Sequence, residues 1–128
     1  MKQTGLSINK YIYSILSSSN ELKEIVGSNI YPLVAEEETT FPFVVFRRSN
    51  ITPNYSKKQV ANDSVSFVVS IADTNYSKTV DIAEIIRNEL ELHSDEYFQL
   101  IQLESVSEDF VENAYVQELT FNAIIAIK

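Results

Sequence analysis

The sequence predicts an α+β fold: an antiparallel (mixed) sheet of four to five strands with two main helices packed on one face. Three observations carry this. A helical pattern of apolar residues opens the chain, a second helical stripe occupies residues 76–92, and five segments rich in β-branched and aromatic residues fill the remainder. Their order is α-α-β-β-β-α-β-β, with no internal repeat and no linker. Short links between strands favour antiparallel pairing with helices gathered on one side.

The elements follow in order. Ile8, Tyr11, Ile12, Ile15 and Leu16 fall within one arc of a helix. Ser17–Asn20 interrupts it. Ser19 or Asn20 then caps a second short piece through Leu22, Ile25 and Val26, closed by Gly27. Ile30–Val34 is a short strand that Pro32, lacking an N–H, assigns to an edge. Phe43–Arg48 is a stronger strand, leaving the core at Arg47 and Arg48. Asn50–Asn62 is polar, with Pro53, Asn54 and Tyr55 near its middle, and reads as a long hairpin connection.

Ser64–Ala72 alternates, with Val65, Phe67, Val69 and Ile71 on one face, as a half-buried antiparallel strand does. Asp73–Asn75 start a helix that runs from Tyr76 to Leu92. Its stripe of Tyr76, Thr79, Ile82, Ala83, Ile86 and Leu90 faces the sheet, while Ile85 and Leu92 lie off it as a second contact surface. Phe98–Val106 is the shorter of two last strands. Tyr115–Ile127 is long, with Tyr115, Leu119, Phe121, Ala123, Ile125 and Ile127 on one face. Ser107–Asn113 joins the two as an acidic hairpin loop.

At 128 residues the chain has the length of one domain. A domain of this size buries roughly two-thirds of its unfolded surface and needs no covalent staple. The absence of cysteine excludes disulfides, thiolate metal sites and cysteine nucleophiles, and fits a cytosolic or virion-type origin. No stretch approaches the roughly 20 apolar residues of a membrane span. The N-terminus is not a signal peptide, because Ser7, Asn9 and Lys10 break its apolar run. Without such a signal, the sequons at Asn50, Asn54, Asn62 and Asn75 are read as chance.

Charge is unevenly spread around a net of −8. Residues 81–118 carry eleven acidic side chains against one base, Arg87. Residues 41–62 carry no acid and four bases, Arg47, Arg48, Lys57 and Lys58. General nucleic-acid binding is disfavoured, since neutralising phosphates needs a basic face. The acidic excess serves solubility, or a surface that repels DNA or meets a basic partner. Opposite charge in two segments of one chain also permits head-to-tail contact between copies.

Candidate chemistry is thin. His93-Ser94-Asp95 holds the letters of a hydrolase triad, but sequence neighbours do not supply triad geometry. His93 reads instead as a C-terminal cap on the preceding helix. Glu104, Glu108, Asp109 and Glu112 lack the alternating ligands and central glycine of a calcium loop. Glu36–Glu38 reads as a solvated loop. Gly5 and Gly27 alone build no phosphate cradle. No catalytic residue, cofactor or metal ligand is assigned. Arg47, Arg48, Tyr55, Lys57 and Lys58 mix cations with an aromatic ring, which suits three occupants: single-stranded nucleic acid, an acidic neighbour, or solvent.

One further pattern spans nearly the whole chain. The first helix leads to Glu21-Leu22-Lys23-Glu24-Ile25-Val26-Gly27, then Ile30-Tyr31-Pro32, a polar gap, and Phe41-Pro42-Phe43-Val44-Val45-Phe46-Arg47-Arg48. Val69-Ser70-Ile71-Ala72, the helix with Ile82, Ala83 and Ile86, and Tyr115 leading to Gln117-Glu118-Leu119-Thr120-Phe121 complete it. In this order the chain resembles the tail completion (tail-to-head joining, tail terminator-like) proteins of long-tailed phages and prophages. It departs from them at Ala72-Asp73-Thr74-Asn75, where a more apolar or aromatic strand end is expected, and in its unusually polar Asn50–Asn62.

The resemblance implies a structural virion protein without catalysis or cofactor, assembled in the host cytoplasm. It implies a ring, a hexamer, at the head-proximal end of the tail, contacting the tail tube protein and the head-tail connector proteins. The candidate contact between copies sets Arg47, Arg48, Tyr55, Lys57 and Lys58 against Glu104, Glu108, Asp109 and Glu112. The competing reading is a bacterial cytoplasmic module holding a small molecule or peptide in its helix–sheet groove, and a third is a small enzyme.

Overall fold

The computed structural model describes residues 3–127. After a 3₁₀ turn at Gly5–Ser7 come α1 (Ile8–Ser17), α2 (Asn20–Val26), β1 (Ile30–Pro32), β2 (Phe43–Ser56) and β3 (Gln59–Asp73). Then follow α3 (Tyr76–Leu90), β4 (Phe98–Val111) and β5 (Ala114–Ala126). The five strands form one sheet in the order β1-β2-β3-β5-β4. β1 pairs parallel with β2, and every other pairing is antiparallel. This is the expected α+β architecture with a mixed sheet.

Local chemistry explains the helix ends. Ile8, Ile12 and Leu16, four residues apart, form the fully buried stripe of α1. The Ser19 hydroxyl accepts a hydrogen bond from the Leu22 N–H at 3.3 Å and caps α2. Gly27 ends α2 at φ +60°, where a side chain is strongly disfavoured. The Asn75 side chain caps α3 by accepting from the Lys78 N–H at 3.1 Å. Glu91 is extended, so α3 stops at Leu90 rather than Leu92, and Leu92 swings out to 69% exposure.

The helices cover one face of the sheet. Beneath them lie Val44 and Phe46 of β2, Val65, Phe67, Val69 and Ile71 of β3, and Leu119, Phe121, Ala123 and Ile125 of β5. Phe67 and Phe121 sit opposite each other in register and stack at 5.2 Å between centroids. Burying such a ring is worth about 3 kcal/mol. The expected α3 stripe is buried at Thr79, Ile82, Ile86 and Leu90, but Tyr76 lies 45% exposed at the helix start. Ile85 packs against the core, so of the two residues off the stripe only Leu92 remains available. The opposite sheet face carries no helix and presents the partly exposed Ser64, Ser66, Ser70 and Thr120.

Two connections differ from expectation. Asn50–Asn62 is not a loop: β2 and β3 stay paired out to Ser56 and Gln59, leaving only Lys57-Lys58 as the turn. Ser107–Asn113 is likewise mostly strand, with β4 paired to β5 as far as Val111 and Ala114. β4 is therefore as long as β5, not the shorter of the two. In both cases polar residues with no face to bury still satisfy their backbone groups through the ladder.

The N-terminal segment is fastened across the sheet. The Gly5 N–H donates to the buried Asp63 carboxylate on β3 at 2.8 Å. Arg48 Nη1 donates to the Leu6 carbonyl at 3.1 Å, and the Tyr97 hydroxyl donates to the Thr4 carbonyl. Tyr97 also stacks on Tyr11 at 3.8 Å. Burial, with Tyr11 and Asp63 nearby, pushes the Tyr97 hydroxyl pKa well above the ordinary phenol value.

Candidate functional site

The candidate residues lie on two hairpins whose turns are at opposite ends of the sheet, with Arg47 and Arg48 mid-sheet, level with Ser105 and Leu103. Asn62 of β3 pairs with Ala126, the last residue of β5, so the β2–β3 hairpin continues past the sheet as an arm ending in Lys57-Lys58. Asp73, at the other end of β3, pairs with Tyr115, next to the Glu112-Asn113 turn of the β4–β5 hairpin. At about 3.3 Å per residue, β3 separates the two turns by roughly 45 Å. Mobile salt screens charge over about 8–10 Å. The turn charges, Lys57 and Lys58 against Glu112, therefore cannot neutralise each other within one copy, while Arg47 stands three strand spacings, roughly 14 Å, from Ser105.

On the basic arm, Tyr55 is 69% exposed, and Lys57 and Lys58 occupy the turn. Arg47 lies across from Val68 and Arg48 across from Phe67. Their side chains diverge as neighbours on a strand must, and Arg48 is held by the Leu6 carbonyl while Arg47 is exposed. Among the described residues none of these four cations forms an ion pair.

The acidic hairpin is more constrained. The Glu108 carboxylate accepts from the Tyr76 hydroxyl at 2.7 Å and from Gln117 Nε2 at 3.0 Å. The Tyr76 hydrogen bond, helped by Gln117, holds the Glu108 pKa below the usual carboxylate value, and the same bond raises that of Tyr76. Asp109 accepts from the Phe110 N–H at 2.8 Å. Glu104 occupies a register shift between Leu103 and Ser105, the kind of bulge that re-aims a side chain. Glu112 sits in the turn at φ +51°. Ser107, Glu108, Asp109, Val111, Val116 and Glu118 line an open groove of about 360 Å³.

The structure therefore gathers the expected residues into two separate patches, not one site. It also shows exposed apolar residues that the sequence reading missed: Val106, Phe110 and Val111 on β4, and Leu33, Val34 and Phe41 beside β1. Their signal was present, since apolar residues inside an otherwise polar acidic segment have no core role to account for them.

Other chemistry does not assemble. His93 closes α3 through its backbone N–H to the Leu90 carbonyl, but its ring pairs with Asp95 at 2.8 Å rather than with helix carbonyls. Burial works to raise the Asp95 pKa, yet His93 and the Phe98 and Tyr97 N–H groups outweigh it and hold that pKa low. Among the described residues no group of three or more His, Asp or Glu is placed to hold a metal ion. No described helix is long and apolar enough to cross a membrane. The interior between helices and sheet is filled by the core, and a groove of about 550 Å³ lies instead on the surface near Tyr13, Lys23 and Gly27.

Comparison with known proteins supplies the context for these two patches. A chain of the virion of a native gene transfer agent (GTA) particle superposes with a TM-score of 0.78 at 16% identity. The match covers 90% of this chain and 91% of that one, and at such identity it shows a shared fold. No curated protein sequence matches the chain. The family model described as tail completion protein gp17 matches residues 10–126, nearly the whole of the sheet and its helices. The chain belongs to the tail completion protein gp17 family and is a phage tail structural protein.

Proposed function

We propose that this protein completes the head-proximal end of a phage tail as a ring of identical copies, a hexamer. In this role it joins the tail tube protein to the head-tail connector proteins, after assembly in the bacterial host cytoplasm. The single observation that carries the reading is the family match over residues 10–126. The charge geometry supports it. Two complementary patches on different surfaces of one molecule make a heterologous contact, and repeating that contact closes a ring when the rotation allows. Arg47, Arg48, Tyr55, Lys57 and Lys58 of one copy face Glu104, Glu108, Asp109 and Glu112 of the next. The net charge of −8 suits a bore through which DNA slides without sticking.

Native mass spectrometry of the protein alone and with tail tubes tests the ring, and electron microscopy of labelled tails tests its place. The expected results are a hexamer and a label confined to the head-proximal end. Label distributed along the tail, or at its distal tip, would overturn the assignment. Reversing charge at Arg47 and Lys57 is expected to weaken assembly and remove its salt sensitivity.

A further inference from the structure

The sheet has two bare edges. β4 is the last strand, paired only with β5. The segment after α3 covers its beginning, where the Leu92 N–H donates to the Ile101 carbonyl at 2.8 Å and the Asp95 N–H to the Phe98 carbonyl at 2.9 Å. Beyond that cover, Ser105–Val111 has no neighbour on its outer side and contains no proline or lysine. Val106 and Val111 are each 48% exposed there, and Phe110 56%. A long exposed edge of this kind is a template for another strand unless it is blunted. On the far side of the sheet, β1 pairs with β2 only at Val44, Val45 and Phe46. The outer edge of β2 is bare from Arg47 upward, until Pro53 interrupts it.

The two edges complement each other in direction and in charge. Three antiparallel pairings separate β2 from β4, so the two strands run oppositely. A second copy placed beside the first would therefore add its β2 to β4 in antiparallel fashion. Residues 88–127 contain no lysine or arginine, and residues 41–62 contain no acid. Glu36–Glu38, in the loop after β1, are the exception on the basic side, and they oppose pairing below Phe46.

We propose that Ser105–Val111 of β4 is covered by Arg47–Thr52 of β2 from a second copy, so that one sheet continues from subunit to subunit. Backbone hydrogen bonds supply the affinity, and in the antiparallel register Arg47 and Arg48 against Asp109 and Glu112 supply the choice of partner. Because this rests on the ring proposed above, the test separates the two. Val106→Lys blunts the β4 edge, and Arg47→Glu with Thr52→Glu opposes acid to acid at the β2 edge. Native mass spectrometry is read for each variant alone and for an equimolar mixture. In the mixture each copy keeps one intact edge.

The wild-type chain is expected to form rings and each variant to remain monomeric. The mixture is expected to stop at a heterodimer, since one sound contact forms and no edge remains to extend it. In wild-type rings, hydrogen exchange at residues 47–52 and 105–111 is expected to slow relative to monomer. Rings formed by both variants, or a mixture that stays monomeric, would overturn the edge pairing and leave the ring intact. A wild-type chain that stays monomeric at every concentration, with tail tubes present as well as alone, overturns both. Far-UV circular dichroism verifies folding, and Val111→Lys on the same edge replaces Val106→Lys if that variant misfolds.

Discussion

Replacing Gly5 by alanine tests whether the N-terminal segment is fastened as described. A Cβ on residue 5 would lie 2.6 Å from Val65 Cγ2 and 3.1 Å from Asp63 Oδ2. Val65 is fully buried on β3 between two paired strands, so it has nowhere to retreat. Forcing an extra methyl into such a site costs about 1–3 kcal/mol. The alternative is that residues 4–6 lift away. That breaks the bonds to Asp63, Tyr97 and Arg48, at about 1 kcal/mol each, and leaves the Asp63 carboxylate buried without its Gly5 donor. Lifting thus costs about 3 kcal/mol or more, and the cheaper route sets the loss at about 1–3 kcal/mol. For a domain of this length that lowers the melting temperature by roughly 3–15 °C. Calorimetry gives the number, and hydrogen exchange at the Gly5 amide tells lifting from strain. Asp63→Asn retains an acceptor oxygen and is expected to cost less than Gly5→Ala. Melting of Gly5→Ala within about 1 °C of wild type would show that the contact is not as tight as the backbone places it.

Other outcomes follow from the same structure. Phe67→Ala removes half of the Phe67–Phe121 stack and is expected to cost about 3–5 kcal/mol in urea denaturation. Tyr76→Phe removes the donor that depresses the Glu108 pKa, so NMR titration should find that pKa higher. The sign for wild type follows: a depressed carboxylate stabilises the fold above the ordinary glutamate pKa, and that contribution fades as pH falls through the folded value. Asp95 obeys the same rule, and Asp95→Ala, which orphans the Tyr97 and Phe98 N–H groups, should destabilise by about 1–2 kcal/mol with the loss shrinking in acid.

Where a residue faces a core, its role was legible in the sequence. Ile8, Ile12 and Leu16 showed their helix by spacing, and Val65, Phe67, Val69 and Ile71 showed their strand by alternation, because burial on one side writes a period. The ends of both hairpins were not legible for the same reason. Past Ala126 the β2–β3 arm has no third strand beside it, so Asn54–Asn62 carries no alternation, and Asn50–Asn62 reads as a loop although its backbone is laddered. The sheet order was also hidden, since β3 pairs with β5 across α3 and β4. That pairing sends the Lys57-Lys58 and Glu112 turns to opposite ends and sets two strands between Arg47 and β4. Composition showed that two oppositely charged segments exist, and only the register shows that their turns cannot meet within one molecule.

Both hairpin turns are built without glycine. Lys57 at φ +58°, and Glu112 and Asn113 at φ +51° and +65°, adopt a conformation that glycine reaches without steric cost. A glycine at position 57 or 112 would keep the turn while deleting its charge, so backbone shape and electrostatics separate cleanly at both tips. Lys57→Gly and Glu112→Gly are thus neutral probes of the fold and sensitive probes of assembly. The tips carry charge at the positions where folding alone would have chosen the smallest residue.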